Sequence, residues 1–308
     1  MDVVIVGSIA YDSLSTPSGE SNDELGGSAT YGGFSSSFHA KRLNGGTVAL
    51  VGVVGEDFLS SDIDKLVKSG LDIRGIETAK GGTFRWKGSY HGDMSQAETH
   101  ETHLNVFEHF QPKVPEDYRS PKVLFCANLH PALQMAVIQQ SKPTRISILD
   151  SMNLWIEIAR EGLLEVIKQV DLVVLNDGEV RMLANDDNLV RASHKVQKMA
   201  NGAILVVKRG EHGVLALHPD GLLSMPAYPV MELVDPTGCG DTFAGALATF
   251  LAQGNGNITK QELAQGLVHA TVTASFTLQS FGTNKIRNLE TLEYETRLKE
   301  YRLITSTS

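Results

Sequence analysis

The stretch Asp235-Pro236-Thr237-Gly238-Cys239-Gly240-Asp241 decides how this 308-residue chain is interpreted, because small and apolar residues, Thr242 to Leu251, follow it directly. This pattern predicts a glycine loop at the start of a buried helix. Gly238 and Gly240 allow a sharp turn and a close approach of the backbone to a ligand. The free N–H groups and the positive end of the helix dipole then favour an anion at this position.

Asp241 suggests that the loop has a catalytic role. A carboxylate beside an anion site repels a phosphate, so it needs another role, and accepting the proton of an attacking hydroxyl is such a role. The alternative is that Asp235 or Asp241 only caps the helix, since aspartate is a favoured N-cap residue. We expect Asp241 to be the general base, and the N–H groups of Gly238, Cys239 and Gly240 to stabilise the transferring phosphoryl group.

The composition is that of an ordinary globular protein, with 42% hydrophobic and 20% charged residues. A net charge of −9 argues against a nucleic-acid partner, which would need a basic surface. Cys126 and Cys239 do not form a disulfide framework. Because no signal peptide and no run of transmembrane length is recognisable, we expect a cytoplasmic protein that does not bind membranes.

Short apolar runs alternate with segments of helical periodicity along most of the chain. The runs are Val3–Val6, Val48–Val54, Val123–Cys126, Ile146–Leu149, Leu172–Leu175 and Ile204–Val207. This alternation predicts an α/β fold with a mostly parallel central sheet and helices on both faces. Ligands are then expected at the carboxyl ends of the strands.

One region departs from this alternation. Between Thr83 and Tyr90 aromatic and polar residues alternate, with Phe84, Trp86 and Tyr90 on one face, which is typical of an exposed antiparallel sheet. We interpret segments 11–24 and 78–112 as a small β-sheet lid inserted in a core that spans 1–308. An aromatic face needs a cover, so we predict that the lid contacts substrate or forms a homodimer. The alternative is a surface hairpin without a role.

The stretch from Asp235 to Asp241 resembles the C-terminal signature of the ribokinase-like (pfkB) family of carbohydrate and nucleoside kinases, Asp-Thr-x-Gly-Ala-Gly-Asp. It departs from that signature at Pro236, where Thr is usual, and at Cys239, where Ala is usual. The resemblance implies a ribokinase-like three-layer sandwich with a small β-sheet lid. It also implies a kinase that uses ATP and Mg²⁺.

Two further segments resemble the family's substrate-binding motifs. Asp12 falls where the family has an aspartate that binds sugar hydroxyls, and a carboxylate can accept two such donors. Gly26 and Gly27, followed by Ser28, resemble the family's first Gly-Gly motif, whose backbone lies under the substrate. The asparagine that usually follows is absent, and Tyr31 or its neighbour replaces it.

The resemblance also implies nucleotide-binding residues. Asn176 and Glu179 resemble an Asn-x-x-Glu element that holds the hydration shell of Mg²⁺, although simple helix capping explains them almost as well. Gly210 and Gly213 match the two glycines of the nucleotide loop. Lys208, just before them, would either meet a phosphate or remain in solvent.

Gly282 resembles part of the turn that closes the adenine pocket and of a monovalent-cation loop, which in many relatives also uses the position of Asp235. Potassium activation is therefore a hypothesis. Equal rates in sodium, potassium and bulky organic cations would remove it.

We therefore predict an ATP-dependent phosphotransferase that phosphorylates a hydroxymethyl group of a sugar or sugar derivative. A nucleoside kinase of the same family and a non-catalytic sugar or nucleotide sensor remain the alternatives. A nicotinamide-dependent oxidoreductase is disfavoured, because the loop from Gly7 to Asp12 lacks the Gly-x-Gly-x-x-Gly spacing. The sequence does not identify the acceptor, although the lack of an assigned arginine cluster slightly disfavours an acid.

Overall fold

The computed structural model describes residues 1–43, 45–94 and 96–306, and its strands form one sheet of nine strands and one of four. The strands are β1 (Val3–Val6), β2 (Ala10–Thr16), β3 (Gly19–Gly26), β4 (Val48–Gly55), β5 (Leu71–Ala79), β6 (Phe84–Tyr90), β7 (Ala97–His103), β8 (Val123–Cys126), β9 (Ile146–Asp150), β10 (Leu172–Asn176), β11 (Ile204–Lys208), β12 (Val214–His218) and β13 (Gly221–Met225). The large sheet has the order β13-β12-β11-β10-β9-β8-β1-β4-β5. Its neighbours are parallel except for β11–β12 and β12–β13, which confirms the predicted, mostly parallel sheet.

Helices cover both faces of the large sheet. They are α1 (Ser28–Arg42), α2 (Ser60–Lys68), α3 (Pro131–Gln140), α4 (Asn153–Ile158), α5 (Arg160–Ile167), α6 (Asp177–Ala184), α7 (Leu189–Met199), α8 (Cys239–Leu251), α9 (Lys260–Thr277), α10 (Asn284–Arg287) and α11 (Thr291–Thr305). One core lies under α1, α8, α9 and α11, and another lies under α5, α6 and α7. The three-layer architecture is thus confirmed. In the described part of the chain, no helix is long and apolar enough to cross a membrane.

Three strands of the large sheet continue by one polar residue beyond the apolar runs that predict them. Those residues are Asp150 in β9, Asn176 in β10 and Lys208 in β11. The ladder pairing continues through them, since Asp150 pairs with Val174 and Asn176 pairs with Lys208. The carboxyl ends of these parallel strands therefore present three polar side chains at one edge of the sheet.

Helices α1 and α8 pack unusually closely, which fixes the start of α8. A side chain on Gly245 would overlap the carbonyl group of Gly32. The Ser35 hydroxyl donates to the Thr242 carbonyl (2.6 Å), and the Ser36 hydroxyl donates to the Gly245 carbonyl (2.8 Å). Small residues on both helices therefore position the loop that precedes α8.

The four-stranded sheet has the order β3-β2-β6-β7 and contacts the loops at the carboxyl edge of the large sheet. The Ser18 hydroxyl donates to the Leu233 carbonyl (3.0 Å), and Asn284 Nδ2 donates to Glu24 Oε2 (3.0 Å). All seven residues of the edge strand β7 are exposed. The homodimer through this sheet remains a prediction, and a monomer in sedimentation across the micromolar range would contradict it.

Candidate active site

The loop from Asp235 to Asp241 ends at the start of α8, as the glycine pattern predicts. Gly238 is the N-cap residue in a left-handed conformation (φ 71°), and a side chain there would overlap the ring of Tyr31. Asp241 lies in the first turn of α8, and no side chain caps this helix. Asp235 instead accepts a hydrogen bond from the Thr237 N–H (2.8 Å). The alternative, in which either aspartate caps α8, is therefore wrong.

A lysine and a second aspartate lie beside Asp241. Lys208 Nζ is 3.1 Å from both carboxylate oxygens of Asp150. A Cβ atom on Gly240 would be only 2.8 Å from Lys208 Nζ, so the ammonium group borders the glycine loop. Burial and the negative charge of Asp150 raise the pKa of Asp241 to about 7, while Lys208 opposes this shift. A carboxylate with this pKa is suited to accept a proton near neutral pH.

One of the three predicted amide donors has a partner within the loop. The Cys239 N–H donates to the Pro236 carbonyl (3.2 Å), because the chain turns tightly just before α8. The prediction that this N–H stabilises the phosphoryl group therefore needs correction. The amides of Gly238 and Gly240 and the ammonium group of Lys208 are the better candidates for binding an anion.

The Cys239 side chain points toward α9. Its Sγ is 3.5 Å from the Ala274 carbonyl, and burial raises the pKa of the thiol to about 12. The thiol therefore remains protonated at neutral pH.

Asp12 lies on β2, one of the central strands of the small sheet. Its carboxylate packs so closely over Gly26 that any side chain on Gly26 would overlap it, which explains the glycine. Burial, and then the charges of Asp235 and Asp241, raise the pKa of Asp12 to about 8. The geometry thus brings Asp12 and Asp241, which are far apart in sequence, into one site.

Gly27 and Ser28 fix the start of α1. Gly27 has φ 93°, and a Cβ atom there would be 2.5 Å from the Ser8 carbonyl oxygen. The Ser28 N–H donates to Ser8 Oγ (3.0 Å), and the Ser8 N–H donates to Ser28 Oγ (3.1 Å). These bonds explain Ser28 as a residue that positions the loop after β1, and its contact with substrate remains a prediction.

Two tyrosines lie near the carboxylates of the site. Tyr31 is 1% exposed, and burial together with the charges of Asp12 and Asp235 raises its pKa well above the usual range. Tyr90 extends from the small sheet, where its Oη is 3.3 Å from Thr237 Oγ1. From the sequence, Tyr31 or its neighbour replaces the missing asparagine of the Gly-Gly motif, and Tyr90 belongs to the aromatic lid face predicted to contact substrate or a second subunit.

Asn176 and Glu179 form a complete capping box at the start of α6. The Glu179 N–H donates to Asn176 Oδ1 (2.8 Å), and the Asn176 N–H donates to Glu179 Oε2 (2.7 Å). The capping alternative is therefore correct. Burial raises the pKa of Glu179 to about 7, against the effect of Lys208. A role in holding Mg²⁺ through water remains a prediction.

Gly210 and Gly213 lie in the turn between β11 and β12, and both have positive φ (53° and 84°). A side chain on Gly213 would overlap the Met225 carbonyl, so this glycine is required by the turn itself. A Cβ atom on Gly210 would meet no described atom within 4 Å. The space beside Gly210 is thus open. Its contact with nucleotide remains a prediction.

Gly282 lies next to Asp235. Its N–H donates to Asp235 Oδ2 (3.2 Å), and a Cβ atom on it would be 2.8 Å from Glu24 Cβ on the small sheet. Burial raises the pKa of Asp235, and the charge of Glu24 adds to the effect. Two neighbouring carboxylates favour a cation, so the monovalent-cation site at Asp235 remains a reasonable hypothesis.

Asp150 is a site residue that was not predicted from the sequence. A usable signal was present, because Asp150 directly follows the apolar run Ile146–Leu149 and ends a strand of the parallel sheet. The first polar residue after such a run lies at the edge where ligands bind.

The residues present fit a nucleotide better than a protein-bound metal. Among residues 1–43, 45–94 and 96–306, no group of three or more His, Cys, Asp or Glu is arranged to hold a metal ion. Lys208 and the free amides of the glycine loop suit phosphate oxygens. Mg²⁺ keeps most of its waters and binds largely through substrate phosphates, so Asp150 and Glu179 suffice as nearby carboxylates.

The glycine loop, the Asp241 carboxylate with a pKa of about 7 and the neighbouring small sheet form an arrangement that suits phosphate transfer to a hydroxyl group. The chain belongs to the pfkB family of carbohydrate kinases, whose model matches residues 1–290. It is 30% identical over 259 residues to the cytidine kinase of Thermococcus kodakarensis, covering 82% of this chain and 90% of that protein.

Solved structures with the same fold include a Burkholderia thailandensis nucleoside kinase in complex with inosine. The match has a TM-score of 0.78 and 19% identity, and it covers 99% of this chain and 100% of that chain. A putative ribokinase II from E. coli, in complex with ATP and Mg²⁺, has a TM-score of 0.77 and 18% identity, covering 97% of this chain and 99% of that one. These two similarities establish the fold.

Proposed function

We propose that this protein is an ATP-dependent nucleoside kinase that phosphorylates the hydroxymethyl group of a ribose. The observation that carries the proposal is the position of Asp241 in the first turn of α8. Its pKa is raised to about 7, and the Lys208–Asp150 ion pair lies beside it. A base and a cation next to free amides are the groups that phosphoryl transfer to a hydroxyl requires.

In the proposed reaction, Asp241 accepts the proton of the attacking hydroxymethyl group. Lys208 and the amides of Gly238 and Gly240 stabilise the negative charge on the phosphoryl group as it is transferred. Mg²⁺, when bound with the nucleotide, neutralises further phosphate charge. The small sheet, held over the site through Tyr90 and Thr237, excludes water that would otherwise hydrolyse ATP.

The acceptor side favours a neutral polyol. The charges that raise the pKa of Asp12 are those of Asp235 and Asp241, and such a negative environment suits hydroxyl donors and repels anions. The sequence motifs predict a sugar acceptor, with a nucleoside as the alternative. The relationship to a cytidine kinase, which covers 82% of this chain, reverses this order, since a sugar acceptor is supported only at the level of the family.

The test is a coupled ADP-release assay with cytidine, inosine, adenosine, ribose and fructose as acceptors. We expect the highest kcat/KM with one of the nucleosides, and no acceptor-dependent ADP release from an Asp241→Asn variant. Preferred turnover of a free sugar would contradict the nucleoside assignment. Binding of nucleosides without ADP release would instead support the non-catalytic sensor.

A further inference from the structure

Tyr31 has a hydroxyl group that no hydrogen bond in the fold accounts for. The residue is 1% exposed, and its Oη has no hydrogen-bond partner among the described residues. Its ring packs directly on Gly238, so the hydroxyl group is held in a fixed position. By contrast, the buried Tyr301 donates its hydroxyl hydrogen to the Pro226 carbonyl (2.7 Å).

An unpaired buried hydroxyl group is expensive. Burying one without a partner costs about 1–3 kcal/mol, and phenylalanine would fill the same space without that cost. Neither helix packing nor ring packing on Gly238 requires the oxygen atom of Tyr31. The oxygen atom therefore needs an explanation outside the folded chain.

The surroundings of this hydroxyl group indicate its function. Burial, and then the charges of Asp12, Asp235 and Asp241, raise the pKa of Tyr31 well above its usual range, so its phenol stays protonated. Tyr31 is thus a hydrogen-bond donor near both the carboxylate predicted to bind hydroxyls, Asp12, and the proposed base, Asp241. A hydroxyl group can donate one hydrogen bond and accept others at the same time. A single ligand hydroxyl can therefore donate to Asp12 and accept from Tyr31.

We infer that Tyr31 binds a secondary hydroxyl group of the acceptor's ribose and makes the enzyme select ribonucleosides over deoxynucleosides. This inference rests on the proposed nucleoside kinase function. A site with a buried polar group discriminates against an analogue that leaves that group unpaired. Loss of the ribose hydroxyl that Tyr31 contacts should lower kcat/KM by about 10- to 100-fold.

The test combines substrate analogues with a Tyr31→Phe variant. We expect wild-type kcat/KM to fall by about 10- to 100-fold for either 2′-deoxycytidine or 3′-deoxycytidine relative to cytidine. In Tyr31→Phe, cytidine should lose a similar factor, while the penalty for that deoxy analogue should shrink to the part that Asp12 contributes, because two partners of one contact are not additive. Unchanged penalties for both analogues in the variant would overturn the inference.

Thermal unfolding of the free protein provides an independent readout, with Tyr301→Phe as the matched control. Tyr301→Phe should melt lower than wild type and keep the wild-type analogue penalties, because it loses a hydrogen bond far from the acceptor. Tyr31→Phe should melt no lower than wild type, because it removes an unpaired group. Equal destabilisation of the two variants would assign the Tyr31 hydroxyl a structural role and overturn the inference.

The two proposals fail in different ways. A wild-type enzyme that phosphorylates no nucleoside contradicts the proposed function, and the inference falls with it. The inference alone is contradicted if the wild-type enzyme phosphorylates cytidine but the loss of kcat/KM for the deoxy analogues is the same in wild type and in Tyr31→Phe.

Discussion

The two halves of the site both contain buried carboxylates, but their partners differ. On the phosphate side, Asp241 and Asp150 lie beside Lys208, whose ammonium group is 3.1 Å from Asp150. On the acceptor side, the charges acting on Asp12 are negative, and the neighbouring polar group is a phenol. Aspartate therefore has two different roles in the site. Asp241 accepts a proton beside a cation that stabilises an anion, and Asp12 binds neutral hydroxyl donors.

Replacing the proposed base is the strongest way to test this division. Asp241→Asn should lower kcat by roughly 10²- to 10⁴-fold, the usual range for losing a general base. Nucleotide affinity, measured by fluorescence titration, should change little because the glycine loop is intact. Asp64→Asn, at an exposed position on α2, serves as the control. Retained turnover in Asp241→Asn would show that Asp241 is not the base.

Removing the cation should have the next largest effect. Lys208→Met should lower kcat/KM by roughly 10²- to 10³-fold, as for the loss of one group that stabilises the transition-state charge. It also leaves Asp150 buried and unpaired, at a cost of about 3–5 kcal/mol in stability.

The double variant Lys208→Met, Asp150→Asn separates these two effects. It should recover thermal stability without recovering activity. If the double variant regains wild-type turnover, Lys208 acts only by balancing the charge of Asp150.

The acceptor side is tested with a matched pair of substrates, uridine and the carboxylated nucleoside orotidine. Above about pH 8, where Asp12 with its pKa of about 8 is ionised, repulsion by Asp12 and Asp235 should lower kcat/KM for orotidine by about 10-fold or more relative to uridine. In Asp12→Asn both substrates should bind more weakly, and the ratio between them should shrink. Equal use of the two substrates by the wild-type enzyme would contradict a negatively charged acceptor side.

Cys239 should have the smallest effect, although it lies in the glycine loop. Because its pKa is raised to about 12, the thiol should react slowly with iodoacetamide at neutral pH. Cys239→Ala should keep kcat within about threefold of wild type, since the thiol's hydrogen-bond partner among the described residues is the Ala274 carbonyl on α9, away from the glycine loop. Rapid alkylation with loss of turnover would mean that the thiol is exposed to the phosphate side.

The sequence predicts much of the fold because its signals are local. Val3–Val6 and Val123–Cys126 are continuous apolar runs, and a strand buried on both faces requires such a run. The helix start after Gly238 was predictable for the same reason, since glycines and small residues mark it directly. Strand ends were predicted less well, because Asp150 is polar and only its pairing with Val174 extends β9.

The parts of the site that depend on contacts distant in sequence were not predictable. The Tyr31 ring packs on Gly238 only because α1 and α8 cross closely, and no local pattern reports that crossing. The Lys208–Asp150 ion pair joins the ends of two strands, and it holds the Lys208 ammonium group at the border of the glycine loop. Asn176 and Glu179 differ, because their spacing in the sequence already indicated that they interact. That spacing was consistent with both capping and metal binding, and only the geometry established the capping box.

The most direct test of the central claim is the pH dependence of kcat/KM for the best acceptor, in wild type and in Lys208→Met. Asp241 must be deprotonated to act, so wild-type activity should rise with pH and level off above about 7. Lys208 lowers the pKa of Asp241, so the rise in Lys208→Met should move to higher pH. A wild-type profile that is flat from about pH 5 to 9, or an unmoved rise in Lys208→Met, would contradict a base tuned by this lysine.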